Sequence, residues 1–111
     1  MRKIFIFLSI FFFSISLFSQ QFSRKDSLRG ELTTLRTCYD VTYYDLFVIV
    51  DEKERTLERS YNKIHFTAIS DFDEFQVDLA KNMEILLVEF EGFELQYTRE
   101  YDAVFIQFPK Q

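Results

Sequence analysis

His65 is the only histidine in the chain and Cys38 the only cysteine, and these two residues bound the chemistry open to it. A bound catalytic metal takes about three protein ligands, usually His, Glu, Asp or Cys. One histidine cannot form H-E-x-x-H, and one cysteine cannot form a thiolate cluster. His65 therefore reads as a residue on a sheet face. Asp71, Asp73 and Glu74 stand close together, but they lack the glycine and terminal glutamate of an EF-hand loop, and they read as a solvated acidic turn. Cys38 would need a base to act as a nucleophile, and only His65 could serve; a buried, inert thiol is the default. No serine lies in G-x-S-x-G, and Gly30 and Gly92, the only glycines, cannot build a phosphate-cradling loop. The residues predict no catalytic, cofactor-binding or metal-ligating position. The aromatic set Tyr39, Tyr43, Tyr44, Phe47 and Tyr61 could line a binding face, although aromatics at this spacing more often serve core or domain-interface packing.

The elements that must carry these residues begin after an unusual start. Arg2 and Lys3 precede an apolar-plus-serine run over 4–18, and residues 19–21 turn abruptly polar. This is the layout of a secretory signal peptide, with cleavage expected after Ser19. The run is too short for a comfortable membrane span, which needs roughly 20 residues, so contact with a membrane is expected only if the segment stays uncleaved. No cysteine follows it, which argues against a lipoprotein anchor. The expected location is outside the cytoplasm, periplasmic or extracellular. Residues 20–111 then carry 11 basic and 18 acidic residues, a net charge of −7. Such an acidic chain with no basic patch excludes nucleic acid as a partner. A lone cysteine also leaves this exported domain without an intramolecular disulfide.

The pattern divides the chain into 1–19, a signal peptide; 20–38, a lead-in; and 39–111, a β domain. In the lead-in, Leu28, Leu32 and Leu35 have helical spacing, but Gly30 and the Thr33-Thr34 pair weaken it, which predicts an extended or partly turned segment. Residues 39–66 form the organising stretch: two long strands folded back around a charged turn at 51–55. Tyr44, Leu46, Val48 and Val50 alternate and should share one face, with Thr42, Tyr43, Asp45, Phe47 and Ile49 on the other. Large apolar residues on both faces predict cover on both sides. The return strand, 56–68, places Ile64, Phe66 and Ala68 on one face and Tyr61, Lys63, His65 and Thr67 on the other. Further strands are expected at 75–79, 83–90, around Leu95 and Tyr97, and at 103–108, with Gly92 supplying a turn. The fold class is all-β, an antiparallel sheet or sandwich of about six strands.

One resemblance gives these elements a possible context. The order Arg24-x-Asp26-x-Leu28-Arg29-Gly30-x-Leu32-Thr33-x-x-Arg36-Thr37, then Tyr39-Asp40-Val41-x-x-Tyr44-Asp45-Leu46-x-Val48-x-Val50-Asp51, resembles the start of secreted bacterial aminopeptidase N-like zinc metallopeptidases. The likeness runs on through Asn62-x-Ile64-x-Phe66, Gln76-Val77-Asp78-Leu79, Met83-x-Ile85, Leu95-x-Tyr97-x-Arg99 and Val104-Phe105-Ile106. Departures are Ser60 where the family usually has glycine, and no proline in the 51–55 turn. The resemblance implies the family's N-terminal β domain, which packs beside a catalytic domain. The zinc site, its H-E-x-x-H and the substrate-amine loop belong to that catalytic domain, so this chain is expected to be inactive alone and to bind no cofactor. It also implies a β domain cut short, whose exposed sheet face takes the absent catalytic domain or another chain as partner. The alternative from the residues alone is a free-standing secreted module that binds protein or peptide by strand addition.

Overall fold

A computed structural model describes residues 22–110, so the expected signal segment, 1–19, lies outside the described residues. The protein is mostly β, with antiparallel sheets throughout. Among the described residues, two short helices, α1 (Arg24–Gly30) and α2 (Thr34–Thr37), lead into seven strands. The strands are β1 (Tyr39–Asp51), β2 (Thr56–Ala68), β3 (Glu74–Asp78), β4 (Glu89–Phe90), β5 (Phe93–Glu94), β6 (Tyr97–Glu100) and β7 (Ala103–Gln107). Among the described residues β1 and β2 pair only with each other; β3, β7 and β6 make a second sheet in that order; β4 and β5 form a minimal hairpin.

The lead-in, expected as an extended or partly turned segment, forms two short helices. Ser23 caps α1: its hydroxyl accepts from the Asp26 amide, and the Asp26 carboxylate accepts from the Ser23 amide in return. That reciprocal cap satisfies backbone donors that a seven-residue helix would otherwise leave to water. Gly30 ends the helix and does not break it. Three arginines then fasten the segment to the second sheet: Arg24 to Glu100, Arg29 to Asp102 and Arg36 to Asp78, at 3.0, 2.8 and 2.9 Å. The carboxylates of Asp78, Glu100 and Asp102 thus act as clamps.

The second correction falls at 83–90. The apolar run predicts a strand there, yet only Glu89 and Phe90 pair, with Phe93 and Glu94. The cause is Arg99, whose guanidinium donates to the carbonyls of Leu79, Ala80 and Met83 and holds the preceding loop against β6. Ile85 and Val88 turn into the core while Leu86 stays 81% exposed. The turn at 91–92 forms as expected, with both Glu91 and Gly92 at positive φ, the geometry of a tight hairpin.

The core lies between the root of the first hairpin and the inner face of the second sheet. Cys38, Phe75, Leu95, Val104 and Ile106 are its buried members. Phe66, from β2, meets the rings of Tyr39, Phe72, Phe75, Phe90 and Phe108 at centroid distances of 5.2–6.4 Å. A cluster of rings in edge and tilted contact contributes beyond its buried area.

Candidate functional site

The feature that the core leaves over is the hairpin itself. Both strands are 13 residues long, so at ~3.3 Å per residue the ribbon reaches about 40 Å. Only its root packs on the second sheet. Its turn is closed by Asp51, whose Oδ1 accepts from the amides of Lys53 and Glu54 at 2.8 and 3.0 Å, with Arg55 at φ 55°. Beyond the root, Tyr43, Tyr44, Leu46, Phe47, Val48, Ile49, Val50, Leu57 and Tyr61 are all exposed. The cover expected on both faces of β1 is therefore not supplied by the described residues. A lone two-stranded ribbon is marginal in water, and this one presents apolar side chains on each side.

The two faces differ, and two bulges decide how. Thr42 is an extra residue in β1, between the pairs Val41–Phe66 and Tyr43–His65. Arg59 and Ser60 together oppose Val48 in β2, with Arg59 at φ 46° and the Ser60 hydroxyl accepting from the Ile49 amide. Such bulges shift the alternation by one and keep each face consistent along the ribbon. One face runs from Tyr39, Val41 and Phe66 at the root to Tyr44, Ile64, Leu46, Val50 and Leu57. Its root half is the half that enters the aromatic core. Its outer half has no charged residue between Tyr44 and Val50 on β1, and Leu46 and Val50 are 66% and 61% exposed. The predicted grouping of Tyr44, Leu46, Val48 and Val50, and of Ile64, Phe66 and Ala68, is the grouping observed.

The opposite face is mixed. Asp45 stands across from Lys63, and Glu58 across from Ile49. Its rings are partnered within the ribbon: Phe47 stacks on Tyr61 at 5.4 Å, Tyr43 tilts against His65 at 5.3 Å, and the Lys63 ammonium sits over Tyr61. His65 is thus an exposed cross-strand partner of Tyr43, in keeping with its reading as a sheet-face residue.

Where the core-facing stripe leaves the core, an open recess of about 290 Å³ lies between hairpin and second sheet, flanked by Arg36, Tyr39, Tyr44, Ile64, Gln76 and Asp78. Its polar groups are mostly engaged with one another. Arg36 donates to the Leu28 carbonyl and to Asp78. Gln76, 2% exposed, donates to Leu28 O at 3.0 Å, and the Tyr39 hydroxyl donates to Gln76 O at 2.6 Å. Burial pushes the Tyr39 phenol above its usual range. These are the bonds of a structural joint, with no free nucleophile among them.

Cys38 is buried beside this joint, its thiol raised by burial and directed to the Leu35 carbonyl at 3.6 Å. His65 lies three residues from Ala68 along β2, and Ala68 is the partner of Tyr39, so roughly 10–13 Å of ribbon separates thiol from imidazole. The structure does not bring them together. Asp71, Asp73 and Glu74 form no metal-holding group with their neighbours among the described residues, and none of those residues forms a helix long and apolar enough to cross a membrane.

Comparison with known proteins returns no matching family model, no matching curated protein and no matching solved structure. The aminopeptidase N-like resemblance therefore stands on the quoted residues alone. Many of those residues have a folding role here: Asp26 in the cap, Arg24, Arg29, Arg36 and Asp78 in the clamps, Gln76 in the joint, and Arg99 on the loop. Sequence reading missed these clamps. The signal for one was available, since Ser23 stands three residues before Asp26; the ion pairs join residues more than 40 positions apart and leave no local trace.

Proposed function

We propose that this chain is a non-catalytic β domain that packs beside a larger body through its long hairpin. On the resemblance given above, that body is the catalytic domain of an exported zinc aminopeptidase-like metallopeptidase. The domain's part is to complete a sheet or sandwich with that body and to shape approach to the active site. Zinc belongs to the catalytic domain, and this chain binds none. The observation that carries the reading is the overhang: the stripe that enters the aromatic core at Tyr39 and Phe66 continues along β1, uncharged and exposed, through Tyr44, Leu46 and Val50. A stripe built for burial that overruns its own core is the shape of one half of a packing interface.

The test has two parts. Purified protein should not hydrolyse aminoacyl-anilide substrates, with or without added zinc; zinc-dependent turnover would defeat the non-catalytic reading. The coding sequence beside this one should encode an H-E-x-x-H polypeptide that co-purifies with the chain. If no such polypeptide is encoded nearby, the peptidase assignment fails while the packing role stands.

A second reading draws on the ribbon's edges. Among the described residues β1 and β2 pair only with each other, so within these each has an outer edge with open backbone donors and acceptors. An extended peptide could add there as a third strand, as in other sheet-edge binders. Hydrogen exchange separates the two: strand addition protects the edge amides of one strand, whereas face packing buries side chains on one face of both.

A further inference from the structure

The change from apolar to polar at Ser19-Gln20-Gln21 carries a chemistry of its own. These residues precede the described ones, and cleavage after Ser19, on the signal-peptide reading, makes Gln20 the first residue of the exported chain. Resting on that reading, we infer that Gln20 closes into pyroglutamate, a block that protects the segment fastening α1 to the second sheet.

The reaction needs only the one residue. The free α-amine of a leading glutamine attacks the carbon of its own side-chain amide. A bond forms between the α-nitrogen and Cδ, the bond from Cδ to the amide nitrogen breaks, and an amine proton leaves with that nitrogen as ammonia. The resulting lactam has lost the terminal charge, and an aminopeptidase has no free α-amine to grip.

What the block protects begins at once in the structure. Phe22, the first described residue, is 79% exposed and stands ahead of the helix. The bonds of the lead-in start directly after it: Ser23 with Asp26, then Arg24 with Glu100. Chain ends are where trimming concentrates unless they are tied down, and here Gln20, Gln21 and Phe22 alone would stand between the new terminus and the first tie. Removal of Ser23 takes the cap from a seven-residue helix, and removal of Arg24 takes a clamp to the second sheet.

The test takes the full chain, exported from a bacterial host, and reads its intact mass before and after incubation with glutaminyl cyclase. The treated protein should have the mass of residues 20–111 less one ammonia and should be blocked to Edman degradation. Challenged then with a broad-specificity aminopeptidase, it should keep its mass. The Gln20→Ala, Gln21→Ala double variant should lose the three residues ahead of Ser23 and then slow, where trimming meets the bonds of α1. A free Gln20 amine that the cyclase leaves unconverted overturns the inference and leaves the signal-peptide reading standing. A mass that still includes residues 1–19, or that starts at any other residue, overturns the cleavage reading with it. Trimming of both the cyclised chain and the variant, or of neither, overturns the protective role.

Discussion

The hairpin and the second sheet are both antiparallel β structure rich in aromatic residues, yet they hold together by different means. Around β3, β6 and β7 every layer has a partner: rings meet rings, Gln76 is satisfied by Leu28 and Asp78, and arginines tie the leading helices down. Along the outer hairpin, stability comes from the β1–β2 ladder and cross-strand pairs alone. The same residue type therefore does different work in the two regions. A phenylalanine in the core is a keystone, while a phenylalanine on the arm is surface held ready for cover.

The sharpest way to break that comparison is to truncate one ring in each region. Phe75→Ala removes a side chain 3% exposed that touches four other rings. It should cost about 3–5 kcal/mol in urea unfolding, whereas Phe47→Ala should cost about 1 kcal/mol or less. Equal losses would mean that the arm is as integral as the core. Next in size is Gln76→Leu. It deletes a buried donor to the Leu28 carbonyl, which keeps Arg36 as a partner, so a loss of about 1–2 kcal/mol is expected in the same measurement. Ser23→Ala should follow at about 1 kcal/mol, seen as faster amide exchange confined to α1 and leaving β1 and β2 unchanged.

Acid should act on one region and spare the other. The Arg29 guanidinium, with the Lys81 amide, holds the Asp102 carboxyl below its usual range; Arg24 does the same for Glu100, and Ser23 for Asp26. A carboxyl whose folded pKa is depressed stabilises the fold above its unfolded value, near 4, and loses that contribution as pH falls through the folded value. The docking of α1 should therefore loosen as pH falls below about 4, while the ladder of the arm changes least. Amide chemical shifts of Arg24–Gly30 followed against pH would check this, and a simultaneous change in β1 would blur the distinction between the regions.

How much of this was legible follows from range. The hairpin was readable because its information is local: alternation on β1, alternation on β2, and a charged loop between them. Its face assignment survived two bulges because the extra residues fall on opposite strands and leave Tyr44 through Val50 in step. The strand expected over 83–90 was not readable as a loop, since nothing in Ile85-Leu86-Leu87-Val88 announces that Arg99 will claim the carbonyls ahead of it. The leading helices were misjudged because Gly30 looked like a breaker and serves as a terminus. As for the candidate surface, the sequence shows two-sided hydrophobicity but not that the described residues leave it uncovered. Exposure is a property of the whole fold.

Cys38 gives the joint between arm and core an experimental use. Its carbonyl accepts from the amides of Ile69 and Ser70, which closes the mouth of the hairpin, and its thiol is buried beneath. With no second sulfhydryl in the chain, a thiol-reactive probe has one target, which it reaches only when that mouth parts. The rate of labelling is thus a clock for separation of arm from core, read without mutation or added fluorophore. A partner that grips the overhang should slow it.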